Sequence, residues 1–415
     1  MKKIIYLLAG ALAAMAIVPQ ASAVPLFSRQ TGLACSACHF QSFPALNELG
    51  RSFKAGGFTM MGTQKLNEGT GGLSLPEMLN AGLITKVRYQ KSNGAKVPGT
   101  HTTNDGELQF PDELLLMVGG RVSENIGALL DMNLNNPGGP VAANFKMPFV
   151  YDVSGIKAGF IPFTTTDQGV SYGFELLDTG AVRGARIMEA RKTFSAQQYV
   201  GTDGKAEGFA LVASNSMFFA NISKWSPRSV GDKDKGSPTA NYIRLAITPK
   251  VGSWDTGVGV QSWSGSATNS VDVGGVPVLA PVDTKAYAVD AQAQGQVGAM
   301  PLGIYLTYAN ASGSAQTAGA IKNAFNANAN AETAATIAGQ LGVVPGRATV
   351  LMAYRKGDTG AAANNKDNSL MVGGTYLMAQ NVQLQLNQEM YSGNKYDLVQ
   401  TNGNRLTTLM LFGGF

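Results

Sequence analysis

From about Leu83 to the C-terminus, hydrophobic residues fall on alternate positions in short segments separated by polar, glycine-rich breaks. Val382, Leu384 and Leu386 share one face of such a segment, while Gln383, Gln385, Asn387 and Glu389 share the other. Ile243, Leu245 and Ile247 oppose Tyr242, Arg244 and Thr248, and Val87 and Tyr89 oppose Lys86, Arg88 and Gln90. Tyr287, Val289 and Ala291 likewise oppose Asp290, Gln292 and Gln294. A period of two marks strands with unlike faces. A soluble β-sandwich with one wet face and a membrane barrel both produce it, so no single segment chooses between them.

The ends of the chain favour the barrel. Lys2 and Lys3, an apolar run and Ala21-Ser22-Ala23 read as a signal peptide over residues 1–23, with Val24 as the expected mature start. The last strand ends on Phe415, as outer-membrane barrels do. Charged residues make up only 14% of the chain, and no later apolar run approaches the ~20 residues of a membrane helix. Tyrosines on the apolar faces suit an aromatic girdle. The expectation is an all-β fold: a porin-like outer-membrane antiparallel β-barrel over residues 79–415, preceded by a small α-helical segment, 24–78.

At roughly 20 residues per strand, residues 80–415 predict ~16 strands, although fewer can be placed one by one. A tight turn near Ala379-Gln380 and a polar loop from Ser392 to Gly403 fit a periplasmic turn and an external loop. The alternation of short and long connections breaks between Asn310 and Gly346, where an Ala/Asn-rich stretch hides a strand or a helical insert. The final strand is apolar on both faces, which the sequence alone does not explain. Without Lys2 and Lys3 the net charge falls to +3, too mild a bias to imply nucleic acid or anionic lipid.

Candidate chemistry is confined to the segment before the barrel. Cys35-Ser36-Ala37-Cys38-His39 has the C-x-x-C-H spacing of a c-type haem attachment site. Cys35 and Cys38 would form thioethers to one covalent haem c, and His39 would bind its iron as the proximal ligand. A thioredoxin-like site lacks its βαβ surroundings, and a zinc site would have to recruit the distant His101. A disulfide between these two cysteines would close almost no loop. Pro44–Ala55 reads as a short helix with Pro44 in its first turn, Gly56-Gly57 as its stop, and Leu46, Leu49 and Phe53 as one apolar stripe. A segment of about 50 residues needs a staple, here the haem or enclosure by the barrel. Met60 is the first candidate for the distal iron ligand, with Met61 and His101 as alternatives and a five-coordinate iron also open.

Phe27-Ser28-Arg29-Gln30-Thr31-Gly32, Cys35–Phe40, Phe43-Pro44-Ala45-Leu46-Asn47 and Gly50–Gly57 together resemble the fused outer-membrane monohaem cytochrome c–porins of iron-oxidising bacteria. The resemblance covers the first 40 or so mature residues in detail and the barrel only as architecture. It implies an outer-membrane electron conduit. Extracellular Fe(II) would be the donor, and a periplasmic cytochrome or similar carrier the acceptor. Outer-membrane lipid would surround the barrel. No iron-contact residue carries over. The same conduit could serve another donor, such as a reduced sulfur compound or a solid surface. A diffusion porin with a haem-bearing plug is the reading from a different class. With two histidines in the chain, one committed to iron, no nucleophile–base pair is available for a hydrolase.

Overall fold

The computed structural model describes residues 26–41, 43–96, 102–139, 141–182, 191–229, 232, 237–273, 276–396 and 403–415. The signal segment and His101 lie outside the described residues. Sixteen strands form one closed wall. In chain order they are β1 Ala81–Ser92, β2 Glu107–Ser123, β3 Ile126–Asn133 and β4, which runs Val141–Lys146 and resumes as Phe149–Val153. β5 Ile156–Thr165, β6 Ala206–Ser214, β7 Phe218–Ser226, β8 Ala240–Ile247, β9 Trp254–Ser264 and β10 Ala286–Val297 follow. β11 Met300–Ala311, β12 Glu332–Val344, β13 Ala348–Asp358, β14 Asn368–Ala379, β15 Val382–Ser392 and β16 Arg405–Gly414 complete it. Each strand pairs antiparallel with its sequence neighbours, and β16 closes on β1 with Leu406 opposite Ser92 and Gly414 opposite Ile84.

The two faces of the wall are inverted relative to a soluble protein. Ile222, Ile243, Leu245, Val260, Leu306, Ile337 and Leu386 point outward and are exposed, whereas Arg244, Asp290, Gln292, Gln385 and Asn387 point inward and are buried. Apolar side chains turned outward on a closed sheet have only lipid to bury against. That inversion excludes the sandwich, and this is an outer-membrane β-barrel. Connections alternate along the whole wall between two to six residues at one end and seven to forty at the other. Short turns mark the periplasmic end and long loops the outer surface.

The stretch that resisted reading between Asn310 and Gly346 contains β12, a strand and not a helical insert. Its lumen face carries Ala334, Thr336, Ala338 and Gln340, mostly small residues that blur the expected polar alternation. They are small because chain is packed against them: Thr336 Oγ1 donates to the Phe194 carbonyl at 3.0 Å, and Ala338 belongs to a buried cluster with Phe194 and Tyr305.

Two insertions fill the lumen. The connection between β5 and β6 folds inward and buries Val170, Tyr172, Phe174, Leu176 and Leu177. The N-terminal segment enters from the short-turn end. It comprises α1 (Leu26–Thr31), α2 (Cys35–Cys38) and α3 (Glu48–Ala55), followed by a small exposed hairpin, Leu66–Gly69 with Leu73–Pro76. Arg51 forms a bidentate pair with Asp255 at 2.7 and 2.8 Å. Gln41 donates to the carbonyls of Pro301 and Gln340, and Lys157 donates to that of Ser52. These barrel partners all sit near short turns. Leu26, Phe53 and Phe58 share a core with Ile84, Leu115, Leu129, Met410 and Phe412 of the wall. This explains the final strand: its inner face is apolar because it packs on the segment inside.

Candidate functional site

α3 is shorter than the sequence suggested. Asn47 is its N-cap, with Oδ1 accepting from the Gly50 N–H at 3.0 Å, so Pro44 lies before the helix and not in its first turn. The helix ends at Gly56 as expected. The stripe also differs: Leu49 is 40% exposed, while Leu46, Gly50, Phe53 and Lys54 turn toward the site. Leu46 lies before the helix, so helical spacing does not place Leu49 on its face.

Gln30, fully buried, organises the segment around this helix. Its Nε2 donates to the carbonyls of Phe58 and Met60, and its Oε1 accepts from Asn80 Nδ2 and the Arg121 N–H. One side chain thus stitches α1, the return after α3, the approach to β1 and the wall itself. Phe27 stacks on Phe58 and meets Phe53 edge-on, with ring centroids 5.2 and 4.9 Å apart.

The cysteine–histidine motif is held by the residues just before α3. Phe40 N–H donates to the Ala45 carbonyl, Asn47 N–H to that of Cys38, and Asn47 Nδ2 to that of Ala37. Gly50 is required here, because a Cβ at 50 would collide with the Cys38 carbonyl. His39 Nδ1 lies 3.2 Å from the Ala45 carbonyl oxygen. Donation from Nδ1–H orients the ring and, in the neutral imidazole, leaves Nε2 unprotonated. Burial pushes the His39 pKa down to about 4, against opposing backbone hydrogen bonds from Ala45 and Pro44, so the imidazole stays neutral and can bind metal. Both thiols are free. Burial, with a smaller contribution from Cys35, raises the Cys38 pKa.

Cys35, Cys38 and His39 line one cavity in the lumen, between the N-terminal segment and the inward connection. It offers about 250 Å³ to the centres of water-sized spheres. That is on the order of twenty times the ~10–15 Å³ needed by one water. Its walls are mainly apolar, with Phe43, Phe53, Phe58, Leu115 and Leu129 among them. The donor set fits a c-type haem. Two nearby thiols, a neutral imidazole and an apolar chamber stand together, and these residues would hold the group.

The distal side is less simply matched. Neither Met60 nor Met61 lines the cavity, and Met60 is 37% exposed. The methionine on the cavity wall is Met117 of β2. Sequence reasoning also missed the polar lining contributed by Lys54, Asp131, Lys146, Tyr172, Glu175 and Asp178. Glu175 is tied to the wall through Arg244, which also pairs with Asp290, all essentially inaccessible. Asp178 accepts from the Leu46 N–H and from Gln294 Nε2, linking the inward connection to the N-terminal segment. Burial pushes the Asp178 pKa up to about 7 despite those hydrogen bonds and the nearby Arg51 and Lys54. The apolar run Phe174-Glu175-Leu176-Leu177 inside a forty-residue connection is the one signal that could have revealed this lining.

No family model matches the chain, and neither does any curated protein. Among solved structures, the outer membrane protein OmpT of Vibrio cholerae with loop L8 deleted is similar at 12% identity and a TM-score of 0.49, over 81% of this chain and 99% of that one. A mutant of the Rh. blastica porin is similar at 14% identity and a TM-score of 0.49, over 81% of this chain and 100% of that one.

Proposed function

We propose that this barrel is an outer-membrane electron conduit that oxidises extracellular Fe(II) through a single c-type haem and passes the electrons to a periplasmic carrier. The observation that carries the reading is the shared cavity: Cys35, Cys38 and a His39 oriented by the Ala45 carbonyl line one apolar chamber inside a lipid-spanning wall. A bound haem c supplies a one-electron centre, so that Fe(II) becomes Fe(III) outside and an oxidised carrier is reduced inside. The chain's part is insulation and placement. The wall holds the chamber within the membrane, and Ala45 fixes the His39 ring. The entry of the segment at the short-turn end sets the site toward the periplasm.

The choice of Fe(II) follows the resemblance of the N-terminal motifs. A reduced sulfur compound or a solid surface as donor would use the same chamber. Adding Fe(II) to air-oxidised holoprotein should produce a reduced c-type spectrum, and an unchanged spectrum would overturn the Fe(II) assignment. The barrel itself also supports a diffusion role, with the segment as its plug. Solute flux through reconstituted protein that is unaffected by replacing His39 would favour that second reading.

A further inference from the structure

We propose that Lys54 and Lys146 form a cationic clamp for the two propionate groups of the porphyrin, an inference that rests on the haem reading above. Both lysines line the cavity that holds Cys35, Cys38 and His39. They reach it from different bodies, Lys54 from α3 and Lys146 from β4. Lys146 is 4% exposed and donates to the Tyr172 carbonyl at 2.8 Å, with its Nζ 4.2 Å from the Tyr172 ring centroid and 5.7 Å from that of Phe58. That uses one of its three ammonium donors.

Among the described residues neither lysine takes part in an ion pair, although three carboxylates line the same cavity. Glu175 is engaged by Arg244, Asp178 by Leu46 N–H and Gln294, and Asp131 accepts from Asn144. Both ammonium groups keep donors available toward the chamber, and a dianion placed between them would engage both. Haem c carries two propionates on the porphyrin edge opposite its thioether-bearing pyrroles. One end of the group would be fixed covalently by α2, and the other electrostatically by α3 and the wall.

The test uses the full-length haem-bearing barrel with K54M, K146M and the charge-preserving K146R. A cation beside the porphyrin favours the reduced iron, because reduction removes one positive charge. Each methionine variant should therefore keep its covalent haem but favour the oxidised form by about tenfold, close to 59 mV for a one-electron couple, and K146R should restore most of the shift. The resonance Raman bending bands of the propionates should move in the same variants. Unchanged potentials and bands in haem-bearing K54M and K146M would overturn the clamp. Absence of covalent haem from the unmodified chain would instead defeat the underlying haem reading. Should K146M not assemble, K54M decides, because α3 lies outside the wall.

Discussion

The Arg51–Asp255 pair fastens α3 to β9, and removing one partner isolates what that fastening contributes. Its two charge-assisted hydrogen bonds measure 2.7 and 2.8 Å, and the side chains are 7% and 18% exposed. Breaking a fully buried pair on one side costs ~3–5 kcal/mol. The partial access of Asp255 to solvent at the rim lowers this to about 2–4 kcal/mol. Asp255→Leu leaves the Arg51 guanidinium without its anion, and Arg51→Met leaves the carboxylate without its cation. Hydrogen exchange read by mass spectrometry on peptides spanning 43–64, with barrel peptides as internal control, reports the local opening. Each single variant should speed exchange there by roughly 30- to 700-fold, since 1.4 kcal/mol is tenfold. The double variant, apolar on both sides, should return to within about tenfold of the parent, because no charge is left buried. Single variants that exchange at the parental rate, or a double variant as fast as the two losses summed, would refute the reasoning.

Gly50→Ala places a methyl group against the Cys38 carbonyl, which belongs to backbone and must move. The cost is ~1–3 kcal/mol, and haem-stained gels should show a severalfold lower yield of covalently modified protein. Asp178 has its pKa raised from 3.8 to about 7 in the folded protein, so the unfolded chain holds fewer protons between those values. Its ionisation therefore weakens the native packing progressively as pH rises from about 4 to 7, by a few kcal/mol in all. Asp178→Asn should abolish that loss in a thermal melt at pH 8 and leave stability at pH 4 little changed, with the Gln294 amide turned to accept. Leu245→Arg puts a charge on the lipid face of β8 at ~2–4 kcal/mol if it lies near the midplane, readable as earlier urea unfolding in bilayers.

The wall was legible wherever polar side chains line its inner face. Val382–Asn387 and Tyr242–Ile247 read correctly because their inner faces carry polar side chains and their outer residues face lipid. Legibility failed where the lumen is filled with chain. The inner face of β12 is small to admit Phe194, and Met410 and Phe412 are apolar to meet the N-terminal segment. A period-two pattern records the polarity of what each face touches, so protein inside the barrel erases it. In the site, local spacing gave Cys35, Cys38 and His39. The lining from Tyr172, Glu175 and Asp178 lies more than 130 residues away and has no spacing rule to announce it. Met60, the first distal candidate, does not line the cavity, and its carbonyl accepts from Gln30 Nε2.

The placement of Met410 and Phe412 has a consequence for biogenesis. They sit on the strand that closes the barrel, opposite Arg88 and Lys86 of β1, and their inner faces meet Phe43 and the rest of the N-terminal core. The closing strand is therefore apolar on both faces, and without the segment inside it would turn Met410 and Phe412 toward water. Closure of the wall and docking of the segment thus complete one shared core. A misfolded N-terminus would leave the inner face of the last strand without its packing partner.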